Sequence, residues 1–227
     1  MSEFLKGRGD VRKLLVYKLA NYVSVLTEIF VAKFISRGSR TVDQMQQAAR
    51  SCKQNIVEGS GASKTSKETE IKLTNVARAS LDELEEDYLD YLTFHKLEAW
   101  GKDHPRILRL REYIKTPGFD SEYQTIADKL NDEEFCNMAI TLIKQTQYLL
   151  DRMVAAQQKR FLEEGGIREA MSRARREYRN NQMNGNNQNN SNFSNSSYSS
   201  NNSNTSNNSN SSNSSNNSNS SNNSNLR

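Results

Sequence analysis

Cysteine, histidine and proline are scarce in this chain, and each scarcity excludes something. The two cysteines, Cys52 and Cys136, both fall on apolar positions of helical stripes, so they read as buried thiols and not as a disulfide framework. The two histidines, His95 and His104, stand at a helix end and in a loop. Neither can complete a Ser/His/Asp or Cys/His arrangement. Neither supplies the Glu-x-x-His pairing on facing helices that a carboxylate-bridged metal site uses. The two prolines, Pro105 and Pro117, lie together with Gly101 and Gly118 in one connecting segment, Trp100 to Tyr123. No uninterrupted apolar run approaches the roughly 20 residues that span a bilayer. The opening Met1–Asp10 is too polar for a signal peptide. These absences predict a cytoplasmic protein with no membrane contact, no cofactor, no metal and no enzymatic activity.

Acidic residues are also missing from one end. From Asn180 onward the chain is almost entirely Asn and Ser, with Arg227 its one charged residue. Such a segment cannot bury enough apolar surface to offset its own ordering entropy, so 180–227 is expected to be a disordered tail. Just before it lies a basic excess. Lys159, Arg160, Arg168, Arg173, Arg175, Arg176 and Arg179 outnumber Glu163, Glu164, Glu169 and Glu177, while residues 1–156 are charge-balanced. The overall net charge is +4, so its distribution says more than its size.

What the chain does have is helical periodicity. A first helix is predicted from about Val11 to Ile35, with Leu15, Leu19, Tyr22, Leu26 and Ile29 on one stripe and Val16, Val23, Phe30 and Phe34 beside it. That apolar arc is wider than one contact needs. Either two neighbours flank it within the chain, or part of it meets another subunit. A second helix, about Val42 to Glu58, has Thr41 and Gln44 as its capping pair and a thin core side of Met45, Ala48, Ala49, Cys52 and Ile56. Gly59 and Gly61 are expected to stop it. Thr65 and Glu68 form a capping box that starts a third helix, about Ser66 to His95. Its late acidic run, Asp82 to Asp90, reads as a solvated face. Short helices are expected from Pro105 to Tyr113 and from Ser121 to Leu130. The last long helix runs from about Asp132 to Glu163, opened by Asn131 or Asp132. Gly165-Gly166 ends it, and a short helix follows from Ile167 to Arg179. Ile167, Ala170, Met171, Ala174 and Tyr178 form its apolar stripe, which must dock on something because so short a helix is marginal alone.

The elbow Gly59–Thr65 only distantly approximates a phosphate-binding loop. Ser63 stands where the glycine before the lysine belongs, Glu58 replaces the first glycine, and a helix precedes it where a strand should. The arginines of 168–179 are the stronger signal. Guanidinium pairs bidentately with phosphate, and one helix can aim several at a nucleic-acid backbone. The plain alternative is a helix whose cations complement its dipole, with Glu169 and Arg173 paired across one turn. The candidate nucleic-acid-binding residues are Arg160, Arg168, Arg173, Arg175, Arg176 and Arg179, with Lys64 and Lys67 of the elbow and Arg50 and Lys53 of the second helix. RNA or DNA is the expected partner. The other reading is a protein–protein interaction module whose last helix docks a partner without nucleic acid.

At the elbow, Ser51, Asn55-Ile56-Val57-Glu58-Gly59, Gly61, Ser66 and Glu68, followed by Ala77 and Ser80-Leu81-Asp82-Glu83-Leu84-Glu85, resemble a bacterial four-helix-bundle family. That family contains ribosomal-RNA intervening-sequence proteins and the accessory variability proteins of diversity-generating retroelements. Ala62 stands where the family carries an arginine. The run Gly165 to Arg176 resembles a suffix domain found on one branch. The resemblance implies an all-α, antiparallel up-down four-helix bundle over 11–163, behind a flexible N-terminus at 1–10. A basic suffix helix at 164–179 and the tail at 180–227 follow. It also implies a homo-oligomer, specifically a pentamer, and partnership with a reverse transcriptase.

Overall fold

The computed structural model describes residues 10–63 and 65–194, with side chains through 183. After a 3-10 turn at Val11–Lys13 come α1 (Leu15–Phe34), α2 (Arg40–Ala62), α3 (Lys67–His95), α4 (Pro105–Ile114), α5 (Pro117–Lys129), α6 (Asp132–Glu164) and α7 (Ile167–Ser194). The protein is all-helical, and no strand occurs among the described residues. The chain divides into two compact units, 1–178 and 179–227, with the boundary inside α7. The expected flexible N-terminus up to residue 9, Lys64, and residues 195–227 of the expected disordered tail lie outside the described residues.

In the first unit, α1 packs on α2 and α6, and α3 packs on the same two helices. The broad arc of α1 is therefore divided between two neighbours within one chain. Leu19, Tyr22 and Leu26 of one stripe and Val16, Val23 and Phe30 of the other are all buried. An aromatic layer crosses the core, where Phe30 meets Tyr88 at 4.8 Å, Tyr91 at 5.0 Å and Phe135 at 5.5 Å between ring centroids. The buried hydroxyl of Tyr88 shares a 3.2 Å hydrogen bond with Thr27 Oγ1, which removes the cost of an unpaired polar group there. Each fully buried Leu or Phe contributes about 1.5–3 kcal/mol. Exposed ion pairs such as Arg78–Asp151 contribute about 0–1 kcal/mol each, so apolar burial carries the fold.

The connection after α3 closes one side of α1. Lys96 takes a left-handed conformation (φ 59°) to end α3, and α4 and α5 each begin at a proline, where no N–H is required. Tyr22 of α1 packs on Phe119 at 5.3 Å and Tyr123 at 4.7 Å, both from α5.

Several boundaries differ from the sequence reading. α1 begins at Leu15, because Asp10 caps the preceding 3-10 turn by accepting from the Arg12 N–H. α2 begins two residues early, capped by Ser39 and not Thr41, with Ser39 Oγ accepting from the Thr41 N–H. It also runs through Gly59 and Gly61 to Ala62, so neither glycine stops it. α3 is capped by Ser66, which accepts from the Thr69 N–H at 3.1 Å and donates to Glu68, and not by Thr65. The predicted start of the last long helix holds, with a complete capping box between Asn131 and Glu134. α7 continues past Arg179 to Ser194, since extending an existing helix costs far less than nucleating one.

By length and composition alone, the helix Leu15–Phe34, although interrupted by Tyr, Ser, Thr and Lys, is apolar enough to cross a bilayer; 56% of its 18-residue apolar window is buried inside the folded chain, as in the core helix of a globular protein.

Candidate nucleic-acid interface

The site begins at Gly59. It is buried on α2, and a Cβ there would lie 3.4 Å from Leu73 Cβ and 3.5 Å from the Glu70 carbonyl oxygen. The first turns of α3 thus lie against the end of α2, leaving room at this position for a methyl group and little more. That approach takes Glu70 fully out of solvent, the only charged residue so buried among the described residues. α6 supplies its partners. Arg160 Nη2 donates to Glu70 Oε2 at 2.6 Å, and Gln157 Nε2 donates to Glu70 Oε1 at 3.2 Å and to Thr74 Oγ1 at 3.1 Å. Two buried atoms of this cluster, Gln157 Oε1 and Arg160 Nε, have no hydrogen-bond partner among the described residues.

Nearer the surface, the end of α6 is held by cations. Lys67 Nζ donates to Glu164 Oε2 at 2.7 Å and to the Gly165 carbonyl at 2.9 Å, and Arg173 Nη2 reaches the Glu164 carbonyl at 3.2 Å. These carbonyls are among those a helix C-terminus leaves unpaired, and positive charge there complements the dipole. Gly165 turns the chain at φ 72°. Gly166 follows where a Cβ would come within 2.7 Å of Glu68 Oε1. The carboxyl of Glu164 lies below the usual range, chiefly through its hydrogen bond from Lys67. Glu68 is lowered first by its own backbone N–H and then by Ser66, with Arg168 and Lys67 adding smaller effects.

Between the elbow and α7 lies a cleft of about 360 Å³. Ser66 and Lys67 line one side, and Ile167, Ala170, Arg173 and Ala174 the other. Part of the predicted apolar stripe of α7 therefore turns to the elbow. Met171 and Tyr178 stay 45% and 66% exposed.

The structure sorts the expected binding residues into groups. Arg160 is only 25% exposed and bound to Glu70; Lys67 and Arg173 fasten α6 to the elbow and α7. Arg168, Arg175 and Arg176 are exposed on α7, and Arg175 and Arg176 make no ion pair among the described residues. Arg179 is exposed and belongs to the second unit. Arg50 is exposed and Lys53 half-buried on α2, away from the residues that line the cleft. Lys64 lies outside the described residues.

Sequence reasoning missed Glu70 and Gln157. The signal was present: Glu70, Thr74, Ala77 and Leu81 step by four, three and four, and so do Leu150, Val154 and Gln157 by four and three. A polar residue on a stripe position is one that the fold must bury and pair. Among the described residues, no group of three or more His, Cys, Asp or Glu could hold a metal ion. No family model, no curated protein and no solved structure matches this chain.

Proposed function

We propose that this chain is a non-enzymatic, cytoplasmic nucleic-acid-binding accessory protein, built as an antiparallel up-down four-helix bundle with a basic suffix helix. The closed cycle of packing from α1 to α2, α3, α6 and back to α1 supports the bundle. The elbow motif supports membership of the family of ribosomal-RNA intervening-sequence proteins and retroelement accessory proteins. That membership implies a homo-oligomer, a pentamer by analogy, and a reverse transcriptase as partner.

The observation that carries the binding reading is the exposure of Arg168, Arg175 and Arg176 on α7, two of them without an ion pair among the described residues. Guanidinium groups of this kind on one helix suit phosphate oxygens, whereas Arg160 is bound to Glu70, Lys67 to the end of α6, and Arg173 to the Glu164 carbonyl. Binding of this kind is sequence-independent and salt-sensitive. Fluorescence anisotropy with labelled single-stranded RNA and duplex DNA tests it. Affinity should fall with salt, with a slope of about −0.7 to −0.9 per phosphate contacted. Joint replacement of Arg168, Arg175, Arg176 and Arg179 by Ala should abolish it. No binding even at low salt rejects the reading.

The exposed Met171 and Tyr178 favour a second reading, an interaction module without nucleic acid. In that case Met171→Asp and Tyr178→Asp abolish capture of a partner protein while the arginine replacements do not.

A further inference from the structure

A second cleft, remote from the elbow, lies between the first half of α1, the α4–α5 junction and the middle of α6. Its volume is about 620 Å³, within the roughly 300–1,000 Å³ typical of small-molecule sites. Its walls are mainly apolar. Leu19, Leu149, Ile114 and Pro117 line it. Leu15 and Tyr148, which also line it, are left 58% and 60% exposed. The rim is of one sign. Lys18, Arg111, Lys115 and Lys144 surround it, against Asp120 alone. That acid is already occupied, since it accepts from both Lys18 and the Tyr22 hydroxyl. Lys115 and Lys144 are paired only with Glu112 and Glu85, acids that do not line the cleft. Lys115 is exposed, and such surface pairs are weak enough to exchange for a buried ligand charge.

From this juxtaposition we infer that the cleft binds an amphipathic carboxylate, an aliphatic or aromatic acid whose tail lies on Leu15, Leu19, Leu149 and Tyr148 and whose head meets Lys115 and Arg111. A neutral apolar ligand would leave the ring of cations unused. A cationic one would be repelled by it.

Calorimetric titration of the full chain with sodium dodecanoate below its micelle concentration tests the assignment, beside dodecyltrimethylammonium as the cationic counterpart. Dodecanoate should bind saturably at one per chain and the cation should not. Lys115→Glu should weaken dodecanoate several-fold, and Leu15→Glu should remove it. Both side chains are largely exposed, so circular dichroism should show helix content unchanged. The assignment is overturned by absence of saturable dodecanoate binding, by equal binding of the cationic amphiphile, or by both variants binding like the parent. It is also overturned if light scattering shows copies of the chain held together through this face and separated by Leu15→Glu.

Discussion

Arg160 sets its Nη2 2.6 Å from Oε2 of Glu70, across 90 positions of sequence, and so joins α6 to a carboxylate that no solvent reaches. Removing one member of such a pair typically costs about 3–5 kcal/mol, and Glu70 would keep the hydrogen bond from Gln157, which moderates the loss. Arg160→Ala should therefore lower stability by about 3 kcal/mol, the low end because Arg160 keeps some exposure. Replacing both members, Glu70→Leu with Arg160→Met, should cost less than Arg160→Ala alone. Urea unfolding of the three proteins measures the difference. Equal losses for the single and double variants would show that the pair does not act as a unit.

The two glycines of α2 should respond oppositely to larger side chains. Gly61 is helical with open space where its Cβ would lie, so Gly61→Ala should stabilise by up to about 1 kcal/mol through helix propensity. Gly59 faces Leu73 and the Glu70 carbonyl, so Gly59→Leu should destabilise by about 1–3 kcal/mol through overpacking. Thermal unfolding of each variant checks both signs.

Burial pushes the Cys52 thiol up to about 12. Tyr91 is raised to about 12 by burial first and then by the charge of Asp132. Cys136 is raised as well, again chiefly by burial. A raised value means that the unfolded chain loses its proton before the folded one does. The stabilisation is then complete below the unfolded values, 9 for the thiols and 10 for the tyrosine, and is lost as pH climbs from there to about 12. Native protein at pH 8 should not react with a thiol reagent until denaturant is added, and alkaline unfolding should begin above about pH 9. Fast labelling of either cysteine in the native state would contradict this.

Asp120 works at the acid end. Its carboxyl lies below the usual range, held first by the hydrogen bond from Lys18 and then by that from Tyr22. A lowered value stabilises the fold above the unfolded carboxyl's titration, and that contribution is lost as pH falls through the folded value. Asp120→Asn should leave stability at low pH unchanged and remove part of it at neutral pH, which flattens the acid limb of the stability–pH profile; the loss should be small because the pair is partly exposed and screened. Carboxyl titration by NMR gives the direction independently.

The helices were readable because their information is local. Stripes such as Leu15, Leu19, Tyr22 and Leu26 repeat at the helical period, Asn131 caps the last long helix, and Gly165-Gly166 marks its end. Pro105 starts a helix as its fixed φ led one to expect, whereas α5 starts at Pro117, four residues before the expected Ser121. The site was less legible. Gly59 reads in the sequence as a helix end, yet α2 runs through it, and only α3 packed against it shows that the position is buried. Arg160 belongs to the same basic run as Arg168 and Arg175, yet it points inward, because a carboxylate brought up from α3 has no water to solvate it. Backbone preference and amphipathic period are properties of neighbouring residues, so they are written along the chain. Whether a charge is paired, buried or free depends on which distant side chain arrives beside it, and that is settled only when the helices pack.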